Sequence, residues 1–331
     1  MSNSFSSEYW IGFDLGGTKM MAQVYDSEFQ RVSFKRKKTK GYLGNEVGIQ
    51  RIIDTIRQSI ADSGVPRDRV SGIGIGCPSP IDMFKGTILN APNLGWKNME
   101  IGKAIEAEFN CPVAVLNDVD AGVYAEYRFG SAKNSRCALG IFPGTGIGGG
   151  CVYDDQILTG KRISCMEIGH MVVNPKGRLC GCGLRGCLET EASRLAIAAE
   201  AAKAAYRGEA PRLFELAGTN LIDIRSRVLA ESVAAGDVII EKIIRRAAGY
   251  IGLAVANCVH LLSPDIIFFF GGLVKAMPEL FTETVNQVAA KNVMDVLSGS
   301  FKTVVAELGD DAGALGAAAW AKQHVDVVLN S

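Results

Sequence analysis

The chain has no net charge to spend on a polyanion: 35 Lys and Arg cancel 35 Asp and Glu over 331 residues. Without a field of one sign it is not expected to be steered onto nucleic acid or an anionic membrane. It also lacks an apolar run of membrane length. The stretch Ala247 to Leu262 holds sixteen residues without a formal charge, short of the roughly 20 that span a bilayer, and reads as a buried helix feeding the strand DIIFFF. No charged segment followed by an apolar one opens the sequence, so export is not expected and the cytoplasm is the expected compartment. A disulfide framework is excluded by similar reasoning. The cysteines number nine, and Cys77, Cys111, Cys137, Cys151, Cys165 and Cys258 sit mostly among apolar neighbours, as small buried hydrophobes in a reducing medium do. A Walker-type GxxxxGK[ST] and a low-complexity linker are absent as well. A small-molecule partner is what these absences leave.

Against that background, His170, Cys180, Cys182 and Cys187 stand out in GHMVVNPKGRLCGCGLRGC, with the spacing H-x9-C-x-C-x4-C. Four nitrogen and sulfur donors match tetrahedral Zn²⁺, and with every position filled by protein no site is left for an activated water. The expected zinc is therefore structural.

The organisation is α/β. Tyr9 to Asp14, the turn Gly16-Gly17-Thr18 and Met20 to Tyr25 read as a β-hairpin, and CALGIF, PGTGIGGG and CVYDD repeat that design downstream. Helices are expected at Val47 to Ser63, Ile101 to Phe109, Glu189 to Tyr206, Asp237 to Leu262 (with Asp237 as N-cap) and Gly313 to His324. Strands are expected at Gly72 to Gly76, VAVLN and Asp265 to Phe270, with a loop rich in Pro and Asn from Cys77 to Trp96. Two halves joined by short hinges would enclose a cleft, with the border near Asn117.

A turn without β-carbons lets backbone N–H groups approach phosphate oxygens, and the Thr18 hydroxyl adds a donor. Asp14 beside that turn would repel phosphate unless a cation intervened, which fits hydrated Mg²⁺. Gly144, Thr145 and Gly146 supply a second turn, so two cradles could grip one nucleotide. Gly144 to Gly149 also matches G-x-G-x-x-G, but that fingerprint must open a helix, and here a strand follows. Asn117-Asp118 ends the apolar strand VAVLN and places the Asp118 carboxylate at a sheet edge, where it can take the proton of an attacking hydroxyl; it could also cap the next helix. Asn93, Glu167, His170 and Glu189 are acceptors suited to a polyhydroxyl ligand.

The motifs DLGGTK (14–19), GIGCPSP (74–80), NLGW (93–96), LNDVDAGVYAE (116–126), GTGIGGG (144–150), EIGH (167–170), CGCGLRGCLE (180–189), FFGG (269–272) and GDDAGALGAA (309–318) occur in this order. Taken together, they resemble the ROK family of repressors, open reading frames and sugar kinases within the actin-like ATPase superfamily. The resemblance implies two ribonuclease-H-like domains around a central cleft, with a zinc-binding loop: a smaller one from 1–117 plus about 313–331, and a larger one from 118–312. It implies ATP with Mg²⁺ at Asp14, Gly16, Gly17, Thr18, Lys19, Gly144, Thr145 and Gly146, with Gly271 and Gly272 near adenosine. A hexose would lie on Asn93, Asn117, Glu167, His170 and Glu189, with Asp118 as base and zinc on His170, Cys180, Cys182 and Cys187. The expected activity is that of a glucokinase, phosphorylating the 6-hydroxyl of glucose, and a homodimer is expected. Kinases for fructose, mannose or an N-acetylhexosamine share the scaffold, and so would a user of polyphosphate. A sugar-sensing regulator is the contrasting expectation, disfavoured because only about ten residues precede the first strand, too few for a helix-turn-helix. Two departures from the family pattern, Ser79 for Gly and Asp120 for Asn, bear on sugar preference.

Overall fold

The structure is a computed structural model that describes residues 8–78, 80–161, 163 and 165–329. In chain order the elements are β1 (Tyr9–Leu15), β2 (Lys19–Tyr25), β3 (Arg31–Lys38), α1 (Asn45–Ser63), β4 (Val70–Cys77), β5 (Ile81–Asp82), β6 (Thr87–Ala91), β7 (Trp96–Met99), α2 (Ile101–Phe109), β8 (Val113–Asn117) and α3 (Asp118–Phe129). There follow β9 (Cys137–Pro143), β10 (Ile147–Tyr153), β11 (Gln156–Ile157), α4 (Leu188–Ala192), α5 (Arg194–Tyr206), α6 (Pro211–Ala217), α7 (Ser226–Ala234) and α8 (Val238–Leu262). The chain closes with β12 (Ile266–Phe269), α9 (Gly272–Ala276), α10 (Pro278–Asn292), β13 (Lys302–Val305) and α11 (Ala312–Leu329). Ser79 lies outside the described residues.

Two compact units divide the chain. The first runs to Lys133 and takes back Gln156–Cys165 and the stretch from Asp310; the second comprises Asn134–Asp155 and Met166–Gly309. The border thus falls after α3, not at Asn117. The reason is packing: α3 lies so close to α11 that a Cβ on Gly316 would stand 1.8 Å from the carbonyl oxygen of Ala121. The same helix draws the returning segment's start back to Asp310.

In the first unit the sheet order is β3-β2-β1-β4-β8, with β1 antiparallel to β2 and parallel to β4, and β4 parallel to β8. Strand β1 reads YWIGFDL because it is covered on both faces. Ile11, Phe13 and Leu15 join Ile52, Ile56 and Ile60 of α1 in one core, while Trp10 packs with Ala318 and Ala321 of α11 on the other. On that second face the helix backbone touches the strands. A Cβ on Gly12 would be 1.8 Å from the Ala314 oxygen and one on Gly74 1.8 Å from the Ala317 oxygen. Only glycine in the strands, facing the alanine-rich stretch 312–319, allows this approach.

The second unit repeats the plan. Its strands run β10-β9-β12-β13, a hairpin with two parallel additions, as in β2-β1-β4-β8. The duplication read from the two glycine turns is present in the strand order, and the second turn leads into a strand, as the rejection of the dinucleotide fingerprint requires.

Some expected elements differ. The stretch Cys77 to Trp96 contains β5 and β6, which pair with β7 in a small antiparallel sheet. The helix expected over Glu189 to Tyr206 breaks at Ser193, whose hydroxyl accepts from the Ala196 N–H at 3.1 Å and starts α5 anew. Asp237 occupies the N-cap position of α8 without capping it. Its carboxylate instead accepts from the Leu213 N–H at 2.7 Å, the Arg212 N–H and the Ser232 hydroxyl, closing the start of α6. Among the described residues no helix is long and apolar enough to cross a membrane; the uncharged stretch 247–262 is the buried half of α8, with Ala247, Ile251, Val255 and Val259 in the core.

Candidate functional site

In the first unit, the turn between β1 and β2 is fastened at its base. The Gly16 N–H donates to the Lys19 oxygen at 2.9 Å, the buried Thr39 hydroxyl donates to the Gly16 oxygen at 2.7 Å, and the Thr39 N–H donates to the Thr18 oxygen. Gly17, Thr18 and Lys19 at the tip are exposed. A Cβ on Gly17 would lie 3.6 Å from the Asn93 Cβ, so the turn adjoins the loop between β6 and β7 that carries Asn93.

Asp14 is the penultimate residue of β1, below this turn, and register places it level with Met21 of β2 and Arg36 of β3 on one side and Gly76 of β4 on the other. Its carboxyl is raised from 3.8 to about 7, first by burial, then by the charge of Asp118, against which Arg36 pulls it down; Asp310 raises it further. Asp118 is likewise raised, by burial, against hydrogen bonds from its surroundings. Two acids that cannot comfortably ionise together call for a hard cation with oxygen ligands, and Mg²⁺ fits this donor set. Asp14 would hold it, and it would supply charge neutralisation at a phosphate.

The neighbouring residues at 117 and 118 have different duties. The Asn117 side-chain oxygen accepts from the N–H groups of Val119 at 2.8 Å and Asp120 at 3.1 Å, the pattern of a helix N-cap. The cap of α3 is therefore Asn117, and Asp118, read from sequence as a possible cap, is its first helical residue. The Asp118 carboxylate shares the Val119 N–H at 2.9 Å and also takes a hydrogen bond from the Asn117 side chain. Asp120 is buried within α3, inside the helix packing that also carries Ala121.

In the second unit, Gly144, Thr145 and Gly146 join β9 to β10. Two residues brace them. The Glu189 carboxylate accepts from the Ile147 N–H at 3.1 Å and fills the space a Cβ on Gly146 would need; Arg194 donates its backbone N–H to the Gly144 oxygen at 2.9 Å and its guanidinium to the Thr145 hydroxyl at 3.0 Å. Arg194 also lines a groove of about 940 Å³ with apolar walls at Leu195, Leu221, Ile222 and Ala276, and with Arg225, Gly272 and Lys275 at its border. Gly271, directly before Gly272, has φ 115° and packs on Phe142, as only glycine can there. Sequence reading named Gly144 to Gly146, Gly271 and Gly272 but not Arg194, because one Arg opening an alanine-rich helix carries no motif.

The metal loop is folded against β10. A Cβ on Gly149 would stand 2.5 Å from an Ile168 side-chain carbon, and one on Gly169 2.1 Å from the Ile147 oxygen. Val172 bridges Cys187 and Leu179 bridges Arg185, so the loop doubles back on itself. His170, Cys180, Cys182 and Cys187 come together with their ligand atoms all within 4.8 Å of one another. The Cys182 and Cys187 sulfurs are 3.7 Å apart, and the Cys180 sulfur is 3.6 Å from His170 Nδ1. Tetrahedral Zn²⁺ with bonds of about 2.3 Å to sulfur and 2.0–2.1 Å to nitrogen requires edges of about 3.8 and 3.6 Å. The donor set thus fits zinc in its chemistry, and these two edges match its spacing. Glu167 is exposed and begins the short turn that carries His170, whose N–H donates to the Glu167 oxygen at 2.9 Å. Of the residues expected at a ligand, Asp14, Gly16 to Lys19, Asn93, Asn117 and Asp118 belong to the first unit; Gly144 to Gly146, Glu167, His170, Glu189, Gly271 and Gly272 belong to the second.

A duplicated α/β fold with a glycine turn in each half and a loop that gathers one His and three Cys is that of the actin-like ATPases. More narrowly, residues 10–324 match the ROK family model, and the chain belongs to the ROK family. The chain is 31% identical to a glucokinase of Thermotoga maritima over 95% of its own length and 98% of that relative. A solved ROK family glucokinase from Streptomyces griseus, in complex with glucose and AMPPNP, superposes with a TM-score of 0.80 at 29% identity, covering 95% of this chain and 99% of that one. A xylose repressor of Caldicellulosiruptor bescii is 27% identical over 92% of this chain and 76% of its own length.

Proposed function

We propose that this protein is an ATP-dependent hexose kinase that transfers the γ-phosphoryl group to the 6-hydroxyl of glucose. The observation that supports this most is the pairing of Asp118 with Asn117 beside Asp14 and the Gly16 to Thr18 turn: an acid raised by burial, held by a neighbour, next to a second acid and a phosphate cradle. In this reading Asn93, Asn117, Glu167, His170 and Glu189 serve the sugar. Asp118 accepts the proton of the attacking hydroxyl as the bond to phosphorus forms. The glycine turns hold the donor phosphates with backbone N–H groups and the hydroxyls of Thr18 and Thr145, with Lys19 beside the first of them. Bound Mg²⁺ would lower the charge of the phosphates. Gly271, Gly272 and the apolar walls of the groove suit an adenosine. Zinc on His170, Cys180, Cys182 and Cys187 holds the loop that presents Glu167 and Glu189.

The glucokinase relative and the glucose-bound neighbour support the choice of glucose over fructose, mannose and N-acetylhexosamines. The repressor relative makes ligand binding without turnover the contrasting reading. Coupled measurement of ADP release with a panel of hexoses decides between them. Stimulation by glucose above the other sugars is expected; sugar binding with no ADP release would make the chain a sensor.

A further inference from the structure

Arg194 reaches back from the start of α5 and donates to the Thr145 hydroxyl at 3.0 Å, while its backbone N–H holds the Gly144 oxygen. A hydroxyl has two acceptor lone pairs and a single hydrogen. With the guanidinium on one lone pair, the Thr145 hydrogen is directed away from Arg194 and is available to an acceptor. The same guanidinium borders the groove that Gly272 and Lys275 also line.

The charge balance of that groove is lopsided. Glu231 on its wall is engaged by Arg227 at 2.7 Å. Among the described residues, Arg194, Arg225 and Lys275 have no carboxylate within ion-pair distance, so three cations border one apolar slot. Cations with no carboxylate partner at the rim of an apolar slot suit a ligand with a flat apolar end and an anionic tail.

We infer that Arg194 is a positioning residue for the phosphoryl donor: it orients the Thr145 hydroxyl toward a phosphate oxygen and brings a fixed positive charge to the polyphosphate tail. This deepens the kinase reading and rests on it. The planar fork of Arg suits the task better than the point charge of Lys, because one arm can hold Thr145 while another faces the phosphate.

Steady-state kinetics and calorimetry with ATP and AMP on the wild type, Arg194→Ala and Arg194→Lys test the inference. In Arg194→Ala the KM for ATP is expected to rise about 10- to 100-fold, the worth of a charge-assisted hydrogen bond. The KM for the hexose should change much less than that for ATP, because Glu189 holds the turn at Gly146 and Ile147 and makes no bond to Thr145 or Arg194. AMP, which lacks the tail, should lose much less affinity than ATP, and Arg194→Lys should recover part of the loss. An unchanged ATP constant, equal losses for ATP and AMP, or a parallel loss of hexose affinity and melting temperature would overturn the assignment while wild-type turnover keeps the kinase reading intact. A wild type that binds no nucleotide and phosphorylates no hexose overturns both together.

Discussion

Asn117 and Asp118 share the Val119 N–H, at 2.8 and 2.9 Å, but only Asn117 also reaches Asp120 and closes the helix. The capping duty that a carboxylate at this sheet edge would ordinarily take is carried by its neighbour, whose side chain also bonds the acid.

Asp118→Asn should therefore fold normally, since the α3 cap is untouched. It should keep sugar affinity and lose about 10²–10⁴ in kcat, the usual worth of a positioned base. Turnover near wild type would show that Asp118 is not the base. Asn117→Ala should behave differently, losing about 1 kcal/mol of stability with the cap and also lowering kcat, which denaturant titration and kinetics on the same preparation can separate.

Asp14 gives a pH signature with a definite sign. Its folded value is raised from 3.8 to about 7, so across that window the native state keeps a proton that the unfolded chain has released. Its contribution to stability is complete below the lower value and is lost as pH rises through the upper one. Thermal melts of wild type and Asp14→Asn without metal should coincide near pH 4 and diverge by pH 8, with the variant the more stable. Added Mg²⁺ should raise the wild-type melting temperature at pH 8 and leave the variant unmoved.

One zinc per chain is expected by metal analysis. Cys182→Ser should release it, and so should a strong chelator, with loss of hexose affinity because Glu167 and Glu189 lie on either side of the loop. A metal-free native protein with full sugar affinity would refute this.

Gly74→Ala places a methyl where the Ala317 oxygen stands 1.8 Å away. Neither backbone can yield cheaply, and a loss of about 3 kcal/mol or more is expected. Gly64→Ala is a poor control because of its positive φ; Gly181→Ala, with nothing within 4 Å, should melt like the wild type.

What was legible in the sequence had short-range causes. The glycine turns, the ends of β8 and α2, and the gathering of His170 with Cys180, Cys182 and Cys187 are set by neighbours or by fixed spacing, and they stand where expected. The misreadings have a tertiary origin. Asp237 was readable as a cap for the helix that follows it, but the buried N–H groups of Arg212 and Leu213, far off in sequence, claim its oxygens. Ser193 looked like one more position in an alanine-rich helix, yet its hydroxyl cuts that helix in two. The unit border moved past α3 because α11, about 190 residues downstream of it, comes back to pack there. Arg194 left no trace in the sequence because its significance lies in a contact with a turn that precedes it by 49 positions.

The return of α11 also dictates an order of assembly. Strands β1 and β4 are made early, but their Gly12 and Gly74 have no cover until residues 312–329 emerge. At about 5–20 residues per second that wait lasts tens of seconds. Meanwhile the second unit, whose chain is finished by Gly309, can complete itself. The half of the molecule whose strands are made first is thus the half whose sheet is completed last.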